Sequence, residues 1–516
     1  MCLIASWQPL ITLFARFEGT SAIACHHIDG CLTYRQLYLG ALALAEQLDI
    51  ATAGRTPRPP VLLFGHKNRV YLIAYWACLL TGHPIVPMET DNADARLRTI
   101  ADSIQAGLLL NLTDEAAPDC GIPVIPVTMA LCEQAAPSLS ERCRRMGMDF
   151  GHDNIISGTA YIMFSSGTTG APKGIRIGYP NLAHFVRWIE GRFPSPGAVS
   201  GNIRYCFDVS LYELWLAWLH LAPISTLDYR DIINTRKMIA RHAETGVQTW
   251  VSTPSLTRNY LQDRQFRQEN LPQLNTFIFC GEVLPKEMVE ALWRAFPGCR
   301  IVNTYGPTEC TVAVTACDIT PEMMSDPAPL PIGRARPGVG IHLDTTAAQD
   351  GRGEILLCGA AVGEGYLNAA ASQQARFFTT HNGVRGYRTG DLGSLRDGLL
   401  YFHGRKDDEL KIQGYRISPG EIEHLLRQHP QVQDVIVSPW LRQGIPQALQ
   451  AFVLSDQVDI CPALATYLQR HVPAYMIPRF WYPIDDPTLN LNSKLDRRQI
   501  AEQTPNRGKR YVFVGS

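Results

Sequence analysis

Tyr161-Ile-Met-Phe-Ser-Ser-Gly-Thr-Thr-Gly-Ala-Pro-Lys-Gly174 is the stretch from which the rest of this chain can be read. Tyr161 to Phe164 make an apolar run of strand length that empties into Ser165-Ser166-Gly167-Thr168-Thr169-Gly170, a segment with little bulk and many donors. Gly167, Gly170 and Gly174 let backbone N–H groups turn toward a guest, the hydroxyls add donors, and Lys173 adds a positive charge. Phosphate is the guest that suits this chemistry. A Walker A loop is excluded, because it closes on Gly-Lys followed by Ser or Thr, whereas here Pro172 precedes Lys173 and Gly174 follows it. A Ser/Thr/Gly/Pro run is also the composition of an ordinary surface loop, so the remaining sequence must supply the partners of a site.

Outward from the loop, short apolar strands alternate with longer helical patterns. Leu32 onward reads as a strand followed by a helix with Leu37, Ala41, Leu44 and Leu48 on one face. Val61 to Phe64 is a buried strand, Val70 to Leu80 an apolar helix ending at Gly82, and Pro84 to Met88 a returning strand. Asn181 to Phe193 is a helix stopped by Pro194 and Pro196. This alternation predicts an α/β fold of parallel-rich sheets covered by helices, with ligands outside the carboxyl ends of the strands. Between Leu108 and Gly151 the pattern weakens, and Glu141-Arg-Cys-Arg-Arg145 reads as a solvated connector. From Pro331 the texture becomes glycine-punctuated short strands, a small β-rich subdomain. Beyond Gly404 comes a charge-dense segment, then a helix from Pro419, a strand over Val432 to Val437 and a helix over Ala463 to Arg470 with Pro462 in its first turn. The expected organisation is a large core over 1–403 and a small, mobile α+β C-terminal domain over 404–516.

At 516 residues the chain is long enough for more than one core. Its net charge of -1 with 18% charged residues gives no footprint for nucleic acid. The 14 cysteines are scattered without a Cys-x-x-Cys pair or zinc spacing, which suits reduced thiols in a cytoplasmic protein. Met1 to Arg16 reads as an amphipathic helix rather than a leader, since it has no basic start and carries Gln8-Pro9 in its middle. No apolar run reaches the roughly 18 to 20 residues that span a bilayer, so no membrane insertion is expected.

Several polar residues interrupt apolar surroundings. Asp208, in Cys206-Phe-Asp-Val-Ser-Leu-Tyr, needs either a cation or donors if buried, or else it caps the helix that starts near Leu211. Cys280 ends the strand Thr276-Phe-Ile-Phe and is either core filling or a pocket wall. In Ile301-Val-Asn-Thr-Tyr-Gly-Pro-Thr-Glu309, Asn303 and Thr304 offer polar contacts and Tyr305 a flat ring for an adenine. Gly306-Pro307 form a tight turn, and Thr308 and Glu309 offer oxygens for Mg²⁺ and phosphate. Asp391, next to Gly390, is either a turn aspartate or an acceptor for ribose hydroxyls.

The loop at 161–174, the Tyr305-Gly-Pro-Thr-Glu309 segment, Tyr387-Arg-Thr-Gly-Asp-Leu, Gly404-Arg-Lys-Asp-Asp and Asn492-Ser-Lys-Leu-Asp-Arg occur in an order that resembles the adenylate-forming superfamily of acyl-CoA ligases, luciferases and peptide-synthetase adenylation domains. The resemblance covers nearly the whole chain. It implies ATP and Mg²⁺, with Ser165, Ser166, Gly167, Thr168, Thr169, Gly170 and Lys173 on the β- and γ-phosphates. Asn303, Thr304, Tyr305, Gly306, Thr308, Asp391, Phe402 and Arg405 would hold the nucleotide, and Glu309 would act as catalytic and metal-binding carboxylate. Lys494 is the implied catalytic lysine, with Ser493 standing where the family has glycine, and Asp407 is the implied hinge. The Asp208 counterpart pairs with the α-ammonium of an amino acid. Within the superfamily, Val251-Ser-Thr-Pro-Ser, Phe277-Ile-Phe-Cys-Gly-Glu and Thr308-Glu-Cys-Thr-Val-Ala-Val-Thr are most similar to the D-alanine:carrier-protein ligases, which makes Cys280, Thr304, Val312 and Ala313 the implied side-chain pocket. The implied activity is adenylation of a small amino acid, D-alanine first, and its transfer by a monomeric enzyme to a phosphopantetheine thiol. No attachment segment follows Lys494, so the carrier protein is expected in trans. Thr304 and Tyr212 depart from that branch and keep open a free-standing enzyme for a different small L- or D-amino acid. A CoA-forming acid ligase, which has no ammonium for Asp208 to meet, and an inactive scaffold are the remaining alternatives.

Overall fold

The computed structural model describes residues 8–145, 158–165, 173–227, 234–346, 351–367, 369–406, 409–442, 445–457, 459–484 and 511–513. Among them, two large sheets and a smaller five-stranded one carry the larger part of the chain. In the nine-stranded sheet, Arg300–Tyr305, Thr276–Phe279, Val247–Ser252, Ala198–Gly201, Ile224–Thr226 and Ile23–His27 run parallel side by side. Nearly all of their residues are buried, polar and apolar alike, as strands covered on both faces by helices require. The seven-stranded sheet holds Thr159–Ser165, Ile85–Met88, Val61–Phe64 and Leu108–Asn111 in parallel order.

Thr159–Ser165 does not lead into a helix. It turns back antiparallel into Lys173–Gly178 with Ser165 opposite Lys173, so the donor-rich segment is the connection of a hairpin and Lys173 opens the returning strand. Glu141 to Arg145 also differ from expectation. They belong to the helix Leu139–Arg145, and Arg142 is buried rather than solvated. Its Nη2 lies 2.8 Å from Asp49 Oδ2 and its Nε donates to the Leu80 carbonyl at the end of the helix Arg69–Thr81. That carbonyl has no partner within its own helix, and an arginine suits the negative end of the helix dipole.

The helix Ser210–His220 is apolar nearly all round and is buried nearly all round. Trp215 and Trp218 pack on Tyr75 and Trp76 of Arg69–Thr81 with ring centroids 5.1 to 6.4 Å apart. Its one acid, Glu213, accepts from Lys67 Nζ at 2.8 Å and from the amides of Asn202 and Ile203, and both ionic side chains are fully buried. Lys67→Met should therefore cost about 3–5 kcal/mol, because it strands a buried carboxylate. Urea unfolding would show this as a lower midpoint with the slope unchanged, and a shift under about 0.5 kcal/mol would refute it.

After Leu410 the chain builds a separate small core. The hairpin Leu410–Ile412 and Tyr415–Ile417, the helices Pro419–Arg427 and Cys461–Gln469, and a four-stranded sheet that includes Asp434–Arg442 and Phe480–Ile484 enclose Ile417, Ile422, Leu426, Val435, Leu464 and Trp481. The hairpin sits against the carboxyl ends of the large sheets. Tyr415 stacks on Tyr475 with ring centroids 3.8 Å apart and meets Phe207 edge-on at 4.7 Å. Among the described residues no helix is long and apolar enough to cross a membrane.

Candidate active site

The strand ends Ser252-Thr253, Cys280-Gly281 and Tyr305-Gly306, the turn before Ser210–His220 and the Leu410–Ile417 hairpin surround a cavity of about 320 Å³. This is the place expected for a ligand in an open α/β sheet. Gly306 is required here because a Cβ would lie 2.5 Å from the Ala313 Cα. Its absence lets the Thr308 turn fold back over the strand end.

Asp208 lines the cavity and is 6% exposed, and its Oδ2 has no hydrogen-bond partner among the described residues. The capping alternative does not hold. The first turn of the helix is closed by backbone bonds such as Leu211 N to Asp208 O, and no side chain caps it. Burial pushes the Asp208 carboxyl up to about 6; Glu309 adds to the rise, while Thr308, the Val312 amide and Lys411 oppose it. A buried carboxylate with an oxygen to spare and a pKa raised for want of a cation is built to receive one.

Glu309 is fully buried. Arg416 Nη1 donates to its two oxygens at 2.8 and 3.0 Å, and the Tyr366 hydroxyl donates to Oε1 at 2.6 Å. Burial pushes its carboxyl up, but Arg416, Lys173 and Tyr366 outweigh that and bring it down to about 2. Lys173 is 3% exposed, lies 4.8 Å over the Tyr366 ring and has Nζ 3.8 Å from Glu409 Oε1. Burial and Arg416 lower its pKa. Glu409 also accepts from Arg405 and Arg416, so three cations and two acids meet at one edge of the cavity.

Asp391 lines the cavity and accepts from the Tyr305 hydroxyl and Arg405 Nη1, both at 2.6 Å. Tyr305 is thus tied down by its hydroxyl and 7% exposed, and Phe402 packs partly buried against the core. Asn303 donates to the Pro331 carbonyl and Thr304 to the Phe279 carbonyl, so both side chains are anchored within the fold. Cys280 is on the cavity wall, with Sγ 3.9 Å from the Val312 carbonyl, and Val312 and Ala313 are buried beside it. Burial pushes the Cys280 thiol up to about 11, so it serves as a small neutral wall. Only the backbone of Ser165 is placed, and Ser166, Gly167, Thr168, Thr169, Gly170, Asp407 and Lys494 lie outside the described residues.

A family model described as AMP-binding enzyme matches residues 14–367. The chain belongs to the AMP-binding enzyme family. A D-alanine--D-alanyl carrier protein ligase from Bacillus licheniformis is 35% identical over 486 residues, 92% of this chain and 94% of the relative. One of the same name from Listeria welshimeri is 31% identical, covering 94% and 97%. Among solved structures, the Vibrio cholerae adenylation domain AlmE in complex with glycyl-adenosine-5'-phosphate superposes with a TM-score of 0.79 at 23% identity, over 98% of this chain and 99% of that one. An NRPS protein containing adenylation and PCP domains gives 0.79 at 24%, covering 96% and 84%. For this AMP-binding enzyme, sequence reading alone does not single out Arg416 or Glu409. Both sit in a charged segment whose composition also suits a solvated face, and only the seating of the hairpin aims them inward.

Proposed function

We propose that this AMP-binding enzyme is an ATP-dependent, AMP-forming ligase that adenylates a small amino acid, D-alanine first, and transfers it to the phosphopantetheine thiol of a carrier protein in trans. The observation that carries the reading is the buried Asp208 carboxylate at the cavity, whose Oδ2 has no hydrogen-bond partner among the described residues, which suits an α-ammonium and nothing in a simple carboxylic acid. The similarity to the D-alanine--D-alanyl carrier protein ligases supports the choice of substrate and partner. Thr304 and the fully buried Tyr212 favour, as the second reading, a different small L- or D-amino acid.

In the first half-reaction the substrate carboxylate attacks the α-phosphorus of ATP and pyrophosphate leaves. Anion meets anion, so the residues act by neutralisation and alignment. Asp208 fixes the ammonium, Lys173 and Arg405 face the polyphosphate together with the loop from Ser165 to Gly170, and Asp391 receives the ribose. Mg²⁺ would be held by one carboxylate, Glu309, and by the phosphates, in place of the Arg416 guanidinium that bonds both Glu309 oxygens here. When bound there it offsets phosphate charge.

In the second half-reaction the thiol sulfur attacks the acyl carbon of the adenylate, a thioester forms as the acyl–oxygen bond to phosphate breaks, AMP leaves and the thiol proton is released to solvent. The reading assigns 1–403 to the core and 404–516 to a lid turning at Asp407, which withdraws Lys494 and brings Gly414 to the thiol's route. The seated hairpin, with the Gly414 amide donating to Glu282, supports this arrangement. The test is ATP–pyrophosphate exchange across D- and L-amino acids, with glycine and D-alanine expected to stimulate it. Exchange driven only by acids lacking an ammonium would overturn the reading. Lys494→Ala should lower exchange by about 10²- to 10³-fold with little change in amino-acid KM, because its charge is used in the transition state.

A further inference from the structure

Arg336 takes no part in the chemistry above, yet it is 1% exposed and none of its three guanidinium nitrogens has a hydrogen-bond partner among the described residues. Burial draws it down to about 10, so it still carries its charge at neutral pH. A charge kept from water without a carboxylate opposite it weighs against the fold, and such groups are retained where a site uses them. Its place is informative. The Arg336 amide donates to the Val314 carbonyl, directly after the pocket residues Val312 and Ala313. Its guanidinium lies 5.6 Å from the Phe185 ring and 5.5 Å from that of Trp188. Tyr212 packs on the same two rings, 5.1 Å from Phe185 and 6.5 Å from Trp188. The Tyr212 hydroxyl is buried, and Cys280, Thr304 and Arg336 all act on it. Tyr212 thus shares the Phe185 and Trp188 rings with the guanidinium and lies within electrostatic reach of Cys280, Thr304 and Arg336.

Resting on the functional reading above, we propose that Arg336 is the charge-selecting residue of the amino-acid site. Behind the Tyr212 ring it bars cationic side chains from the pocket, and where that ring does not close the floor it anchors an acidic side chain. The low-dielectric surroundings make its repulsion of an ammonium strong, and a planar guanidinium offers a carboxylate two parallel hydrogen bonds. With Tyr212 in place the pocket takes only small, uncharged side chains.

The test uses pyrophosphate exchange by the whole protein with alanine, norvaline, aspartate, glutamate and ornithine. Tyr212→Gly should raise exchange with aspartate or glutamate at least about tenfold over wild type while ornithine gains nothing. Adding Arg336→Met to Tyr212→Gly should abolish the acid gain and admit norvaline and ornithine. Arg336→Met alone supplies a readout independent of activity: removing an unpaired buried charge at nearly constant volume should raise the thermal midpoint. No acid gain in Tyr212→Gly, an acid gain that survives Arg336→Met, or a midpoint lowered by Arg336→Met each overturns the proposal, the last because it would make the guanidinium a structural tie. Wild-type protein that responds to no amino acid would instead sink the functional reading, so the two failures are distinguishable.

Discussion

Asp208→Asn is expected to reduce amino-acid-dependent pyrophosphate exchange by roughly 10²- to 10⁴-fold in kcat/KM, and at the same time to raise the thermal midpoint of the ligand-free protein at neutral pH. The loss follows from removing one partner of a buried charge pair, which leaves a substrate ammonium desolvated and unpaired at a cost of about 3–5 kcal/mol. The gain in stability follows from the same burial. The folded Asp208 carboxyl titrates near 6 and the unfolded one near 3.8. Between those pH values the native state holds more protons than the unfolded state, so stability falls as pH rises. Above pH 6 the whole penalty is present, about 3 kcal/mol for a shift of about two pKa units. Asparagine carries no such penalty, so the variant's advantage should be full at pH 7.5, shrink below pH 6 and vanish near pH 4. For the wild type, KM for the amino acid should climb about tenfold per pH unit below 6 as Asp208 protonates. Exchange that survives the substitution, or a midpoint that drops at pH 7.5, would count against an ammonium site.

What the sequence reveals and what it hides have a common cause. Asp208 is legible because a single acid interrupts an aromatic and aliphatic run, and burial makes such a residue demand a partner wherever it lies. The donor-rich loop is legible because its residue types suit anion binding whatever follows. That it joins two antiparallel strands rather than a strand and a helix is set by the pairing of Ser165 with Lys173, which composition does not encode. Contacts between distant segments are hidden for the same reason. Arg416 reaches Glu309 across 107 positions, Tyr305 reaches Asp391 across 86, and Arg142 reaches Asp49 across 93. In each case local charge or aromaticity admits a solvated or ligand-facing role, and tertiary packing selects another. Arg336 is the extreme example, since Gly333-Arg-Ala-Arg-Pro337 holds two arginines that composition does not tell apart, and packing leaves Arg334 exposed while it buries Arg336 on Phe185 and Trp188.

Gly414→Leu should separate the two half-reactions. Gly414 has φ of +85°, in the left-handed region, and a Cβ there would lie 2.6 Å from the Thr253 Cγ2. Its amide donates to Glu282, whose other oxygen accepts from Ser255 N at 2.8 Å, so the hairpin and the start of the helix Pro254–Leu261 are held together through one carboxylate. Leucine at this position carries a backbone penalty of about 1–3 kcal/mol and an overpacking penalty of about 1–3 kcal/mol. Both fall on the arrangement in which the hairpin is seated and lines the cavity beside Thr253. Transfer to the carrier thiol should therefore drop roughly 10²- to 10⁴-fold, measured as radiolabelled aminoacyl carrier in a single turnover. On the lid movement proposed above, adenylation uses the other orientation and should stay within about threefold in pyrophosphate exchange, with adenylate accumulating on the enzyme. Gly414→Ala, which keeps the backbone strain but adds one carbon, should lie between wild type and leucine. Equal losses in exchange and transfer would mean that the seated hairpin serves both steps and that no lid rotation divides them.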